Sequence, residues 1–204
     1  MDELPVGNLE DVLSHEIPIA GTNGATLGDF WKWGYSDVLV NTIRAVFGEY
    51  LVALALGIDT KPRIDWDSVD LRYGDSTIEV KTSSAIQAWP LPEGVTPSPP
   101  RFDIARHGRW DASTGNYSEE KNRWSDRYVF CLYKGPSSTP ANDLERRTSV
   151  LNSDHWQFFV VATSDLDALG DQKSISLSEI QKRYPPRGFS QLLHAIDSEI
   201  VKPT

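Results

Sequence analysis

The chain contains one cysteine, Cys131, so no internal disulfide can form and no cysteine cluster exists to hold zinc. Long apolar runs are missing as well. The longest, Val46 to Leu56, is interrupted by Glu49 and is too short to span a bilayer. The opening MDELPVGNLEDVL has neither a basic stretch nor an apolar core, so no secretory signal and no membrane association are expected, and the expected location is cytoplasmic. Positive charge is scarce: 20 Lys and Arg against 29 Asp and Glu leave a net charge of −9. That argues against a free-standing, high-affinity nucleic-acid binder, whose affinity comes mainly from Lys and Arg on phosphates. It does not exclude an enzyme that gathers carboxylates for a cation, since such a site is locally negative until the cation arrives. The four histidines, His15, His107, His155 and His194, are dispersed, so no histidine base is expected. Internal repeats and low-complexity tracts are also lacking.

What is present is a chain of 204 residues with ordinary hydrophobic and charged fractions, enough for one domain with a substantial core. Its most informative stretch is VDLRYGDSTIEVKT, residues 69–82. The alternation places Val69, Leu71 and Tyr73, then Ile78 and Val80, on the apolar side of two strands. The polar side carries Asp70 and Arg72, then Thr77, Glu79 and Lys81. An Asp75–Ser76 loop would set Asp70 opposite Lys81 and Arg72 opposite Glu79. Asp70 and Glu79 then become diagonal neighbours, near enough for both carboxylates to hold one cation.

Hard carboxylate oxygens suit Mg²⁺, which keeps several waters and takes phosphate as a further ligand. A lysine on the same face can orient the attacking water or stabilise developing negative charge. Asp70 followed by Glu79-Val80-Lys81 resembles the D…ExK signature of the PD-(D/E)XK, restriction-endonuclease-like nucleases. The Pro-Asp of that pattern is not kept, Ser68-Val69 standing before Asp70. The resemblance implies an α/β fold with a restriction-endonuclease-like core, a central mixed β-sheet flanked by helices. It also implies a Mg²⁺-dependent DNA endonuclease, with Mn²⁺ able to substitute. Asp70, Glu79 and the Val80 carbonyl would bind the metal, Lys81 would position water, and Glu49 on the preceding helix would support the site. For Glu49 a salt bridge to Arg44 or Arg63 is an equal reading. The Asp–Lys and Arg–Glu pairs of the hairpin have a plain reading too, as a solvated strand face. A catalytically silent nuclease-fold module that binds nucleic acid or protein is the competing function, and a homodimer or protein partner is compatible with either.

Around the hairpin, residues up to about 35 read as an arm ending in the aromatic anchor FWKWGY. A helix is expected from Ser36 as N-cap to Gly57 as C-cap, with Val38, Ile43, Val46, Phe47, Tyr50, Leu51 and Leu54 as its apolar face. KPRIDWD, residues 61–67, reads as a short strand in which Asp65 and Asp67 are loop acids. Residues 84–125 read as an irregular insertion. Ser83, just before it, and Gln87, near its start, are substrate contacts or turn and capping residues. Arg101, Arg106 and Arg109, three arginines against Asp103, form the most basic stretch, with Trp89, Trp110, Tyr117 and Trp124 interleaved around it and Trp110 available to stack a base. Expected to border the Asp70–Glu79 cleft, this stretch has a surface loop as its other reading. Residues 126–134 and 156–163 read as central buried strands, and residues 142–150 as a short helix or loop. Helices over 176–184 and 189–201 close the chain, the latter facing Leu192, Leu193, Ile196 and Ile200 inward.

Overall fold

The computed structural model describes residues 13–60, 62–64, 67–89, 91–111 and 114–200, with backbone only at Asp111, Glu199 and Ile200. Two strands form its spine: β6 (Arg127–Tyr133), buried along its whole length, and β7 (Trp156–Ala162). Because successive strand residues point to opposite faces, these two apolar runs feed two cores. Val129, Cys131, Tyr133, Trp156, Phe158 and Val160 face one side, under α2 (Asn41–Leu56) and α6 (Phe189–Ile200). Tyr128, Phe130, Leu132, Phe159 and Val161 face the other. There they meet Leu166 of α4 (Thr163–Asp167), Ile180 of α5 (Leu177–Arg183) and a small sheet of β3 (Arg101–Asp103) with β8 (Ser174–Ser176). Burial also pushes the Cys131 thiol far above its ordinary pKa, so it packs as a small apolar group.

The central sheet has the order β1-β2-β6-β7, with β1 (Leu71–Tyr73) and β2 (Ser76–Ser83) as the hairpin. Only β2 and β6 run parallel; the other pairs are antiparallel. The fold is thus α/β with a mixed sheet flanked by helices, as expected. The expected central place of residues 156–163 needs correcting: β7 ends the four-stranded sheet, and a single bridge from Phe158 to Arg187 continues it.

The N-terminal region departs most from expectation. Thr26 accepts from the Asp29 N–H while the Asp29 carboxylate takes the Thr26 N–H, a capping box that starts α1 (Leu27–Tyr35) inside the expected arm. Ser36 closes this helix instead of opening the next. Asp37 is held by Arg147 and by the Leu39 N–H, so the chain turns there and α2 begins only at Asn41. Gly57 ends it in the left-handed conformation, at φ 67°. The inward stripe of α2 is Arg44, Gly48, Leu51, Val52 and Leu56, while Val46, Tyr50 and Leu54 are exposed. Arg44 is buried because its guanidinium donates to the carbonyls of Leu39 and Ile86 and to Asn41 Oδ1.

Among its described residues the insertion carries regular structure. Beyond β3 it forms a separate hairpin of β4 (His107–Asp111) and β5 (Asn116–Asn122). Arg123, its guanidinium wholly buried, pins the hairpin base by donating to the carbonyls of Ile104, Gly170 and Gln172 and to Asp167 Oδ1 at 2.7 Å. Residues 142–150 take the helical reading, as α3 (Asp143–Thr148) capped by Asn142. Residues 62–64 form no strand, and Lys61, Asp65 and Trp66 lie outside the described residues. Leu193 points outward, 40% exposed, in contrast to Leu192 and Ile196; the Ile200 side chain lies outside the description.

Gly48 sets the distance between α2 and the sheet, because a Cβ there would lie 2.3 Å from Thr82 Oγ1. On an open helix face Gly→Ala adds about 1 kcal/mol of stability, but overpacking costs roughly 1–3 kcal/mol. Gly48→Ala is therefore expected to lower the urea midpoint; a raised midpoint would show that Thr82 moves aside freely.

Candidate active site

The hairpin pairs Leu71 with Ile78, Arg72 with Thr77 and Tyr73 with Ser76. Its two-residue loop is therefore Gly74-Asp75, not Asp75–Ser76, with Gly74 at φ 57° supplying the positive-φ position. The pairing slips by two residues from the expected one, which keeps every side chain on its face but changes its partner. Continuing this register places Asp70 across from Glu79 rather than Lys81. Arg72 leaves Glu79 and instead takes Asp67 in a two-pronged contact at 2.9–3.2 Å.

Glu79 is buried, and its Oε1 is in close contact with Lys81 Nζ on the same strand face. Its Oε2 accepts from Ser125 Oγ at 3.5 Å. Asp70 Oδ2 accepts the Val80 N–H at 2.7 Å. Burial, then the Glu79 charge, raises the Asp70 pKa against the Val80 bond, Lys81 and Arg63. Lys81 is opposed by burial, yet Glu79, then Asp70 and Asp103, hold its pKa above the ordinary lysine value. It is a cation at neutral pH.

Glu49 enters from α2, which the Gly48–Thr82 contact holds against β2. It is 7% exposed and accepts from Arg63 Nε at 2.8 Å. Of the two arginines open for it in the sequence, Arg63 is the partner. Burial raises the Glu49 pKa, Arg63 offsets this, and the charges of Asp70 and Glu79 raise it further. Glu49, Asp70, Glu79 and Lys81 thus share one electrostatic neighbourhood.

A cleft of about 210 Å³ opens on this group, with Asp70 and Glu79 on one wall and His107, Trp110 and Tyr117 of the β4–β5 hairpin on the other. Val80 turns its side chain into the core, leaving its carbonyl as the one ligand atom it can offer. Ser83 follows Lys81 on the same strand face but lies outside the cleft wall. Gln87 is remote from it, near Arg146, which donates to its carbonyl at 3.2 Å. The arginines expected beside the cleft point elsewhere. Arg101 donates to Ser174 Oγ at 2.8 Å, Arg106 pairs with Asp167 and Asp171, and the Arg109 guanidinium lies over Trp124 at 5.9 Å.

Sequence reasoning missed Ser125, placed Asp103 and Tyr117 only in or beside the basic stretch, and set His107 aside. Gly115 between two runs bearing aromatics was the signal for a hairpin pairing Trp110 with Tyr117. Ser125 and Asp103 become neighbours through long-range pairing, which leaves no local signal. Among the described residues, no group of three or more His, Cys, Asp or Glu side chains is placed to hold a metal. Also among them, no helix is long and apolar enough to cross a membrane. No protein-family model, curated protein or solved structure matches the chain.

A carboxylate whose pKa is raised on folding favours the fold while protonated and weakens it as pH rises through its folded pKa. Asp70 is such a group, and asparagine keeps an acceptor for the Val80 N–H. In EDTA, Asp70→Asn is expected to unfold at a higher temperature than the parent near pH 7. That gain should shrink as pH falls below the ordinary carboxylate range. Equal melting temperatures at pH 7 would mean that Asp70 carries no burial penalty.

Proposed function

We propose that this chain is a divalent-metal-dependent phosphodiesterase acting on DNA, with a restriction-endonuclease-like core. The observation that carries the reading is a cleft lined by Asp70 and Glu79, with Lys81 held against Glu79 beside it and Glu49 near enough to feel both acidic charges. The helix, hairpin and parallel neighbouring strand also agree with that core.

The donor set fits Mg²⁺ or Mn²⁺. Asp70 and Glu79 are two largely buried carboxylates on one cleft, and the Glu79 charge raises the Asp70 pKa. Magnesium is usually held through one or two carboxylates plus waters and phosphate, so a third acidic ligand is unnecessary. Asp70, Glu79 and the Val80 carbonyl would hold it. When bound, it would lower the pKa of water and neutralise charge on the phosphoryl group.

The protein's own residues divide the remaining work. Lys81, held charged by its acidic neighbours, can donate to the attacking water and stabilise negative charge developing on phosphate, and it is not a base. Glu79 keeps that ammonium on the cleft side of β2. Ser125 and the Val80 N–H orient the two carboxylates, as outer partners do in sites of this kind. Glu49, fixed by Arg63, adds negative potential that favours a cation over a bare carboxylate pair.

A second reading, an interaction module without turnover, draws on α1, whose Phe30, Trp31, Trp33 and Tyr35 are all exposed. Calorimetric titration with Mg²⁺ separates the two when paired with cleavage assays on single-stranded, duplex and branched DNA and on RNA. A nuclease takes up metal in a manner lost in Asp70→Ala, and Glu79→Ala or Lys81→Ala lowers cleavage on the order of 10²-fold or more. Parent-level cleavage by both variants would sink the assignment, while the absence of both metal uptake and cleavage would support the module.

A further inference from the structure

The wall facing Asp70 and Glu79 is aromatic where a duplex-binding surface would be cationic. Among the described residues lining the cleft there is no arginine or lysine. The nearby arginines are spent elsewhere: Arg106 and Arg123 on Asp167, Arg101 on Ser174, and Arg109 over Trp124. Binding to double-stranded DNA draws on many Lys and Arg contacts to phosphates of both strands. Among the described residues lining the cleft that source of affinity is absent, and Lys81 beside it is held by Glu79.

In its place stands a built aromatic pair. Trp110 and Tyr117 are cross-strand partners, with ring centroids 5.1 Å apart at 64°. Tyr117 is 60% exposed, so much of its ring stays open to solvent beside the cleft. The register slips between Gly108 and Trp110, and such bulges re-aim side chains beside sites. Gly108 permits the irregularity, since a Cβ there would lie 2.6 Å from the Ser118 carbonyl oxygen. The Arg109 N–H is held by Ser118 Oγ at 2.8 Å and its guanidinium turns to Trp124, while Trp110 turns to the cleft. The hairpin is steadied from below by Trp124 Nε1, which donates to the His107 carbonyl at 2.7 Å.

From this we infer that the β4–β5 hairpin is a stacking wall for an unpaired base, which makes single-stranded nucleic acid the substrate class of the cleft. Trp110 and Tyr117 offer π-faces that any base can use, and a base inside a duplex is not open to them. The inference rests on the nuclease reading for what happens at Asp70 and Glu79, but the stacking wall itself acts without metal.

The test is fluorescence anisotropy in EDTA, where no cleavage intervenes. The probes are a labelled single strand of about 12 nucleotides, its perfect duplex, and single strands carrying abasic positions, in deoxyribose and ribose forms. The single strand is expected to bind at least about tenfold more tightly than the duplex, with preference for either sugar supporting the wall. Abasic strands should bind more weakly. Trp110→Ala and Tyr117→Ala should each weaken binding by about five- to a hundredfold, while Trp110→Phe and Tyr117→Phe keep most of it and guard against a fold defect. Salt dependence should be shallow, unlike the roughly 10³–10⁵-fold loss between 50 and 200 mM typical of 6–10 phosphate contacts. Equal binding of duplex and single strand, or parent-like binding by both alanine variants, overturns the inference. A protein that binds in the expected way but never cleaves in Mg²⁺ overturns the nuclease reading and leaves the wall standing. Cleavage of duplex and single strand at equal rates does the reverse.

Discussion

The approach of α2 to β2 at Gly48 is the constraint on which the candidate site depends. No side chain separates helix from strand there, and the helix lies against Thr82. The next residue, Glu49, is thereby committed to a buried position within reach of the Asp70 and Glu79 charges. Three carboxylates are brought together in this way, with Lys81 and Arg63 as the cations that answer them. Burial acts against the charges of Glu49, Asp70 and Lys81, and the raised pKa values of Glu49 and Asp70 record the cost. Clustered perturbed groups facing a cleft are a mark of function more often than of stability, because an apolar filling of the same space would hold the fold better.

Much of this was legible in the sequence. Strict alternation in residues 69–82 identified the hairpin and assigned every side chain to a face. A shift of two residues conserves faces, so Asp70 and Glu79 still line one cleft despite the incorrect register, while Arg72 goes to Asp67. The near-continuous apolar runs around Phe130 and Phe159 identified the buried strands. Their alternation between two cores was implicit in the same residues.

The rest depended on information that no local pattern carries. The first turn of α2 was lost to Arg147, a residue 110 positions away that holds Asp37. The outward turn of Val46, Tyr50 and Leu54 follows from the choice of Gly48 as the contact point, whereas hydrophobicity alone favoured the bulkier side chains. The basic stretch beside the hairpin was visible as composition, but its arginines were already matched to Asp167, Asp171, Ser174 and the Trp124 ring. In the opposite sense, α1 was missed although Thr26 and Asp29 spell a capping box, because its aromatic residues suggested an anchor and not a helix.

β6 feeds one core with its odd residues and the other with its even ones, so a single inserted or deleted residue would invert both at once. The β4–β5 hairpin, by contrast, pairs with no further strand among the described residues and is tied to the body through Arg123 and Trp124 at its base. In evolutionary terms the chain therefore has a rigid part and a free one. Descendants of this sequence could lengthen, shorten or re-letter the hairpin tip, and so change what the cleft reads, while the carboxylate wall opposite stays as it is.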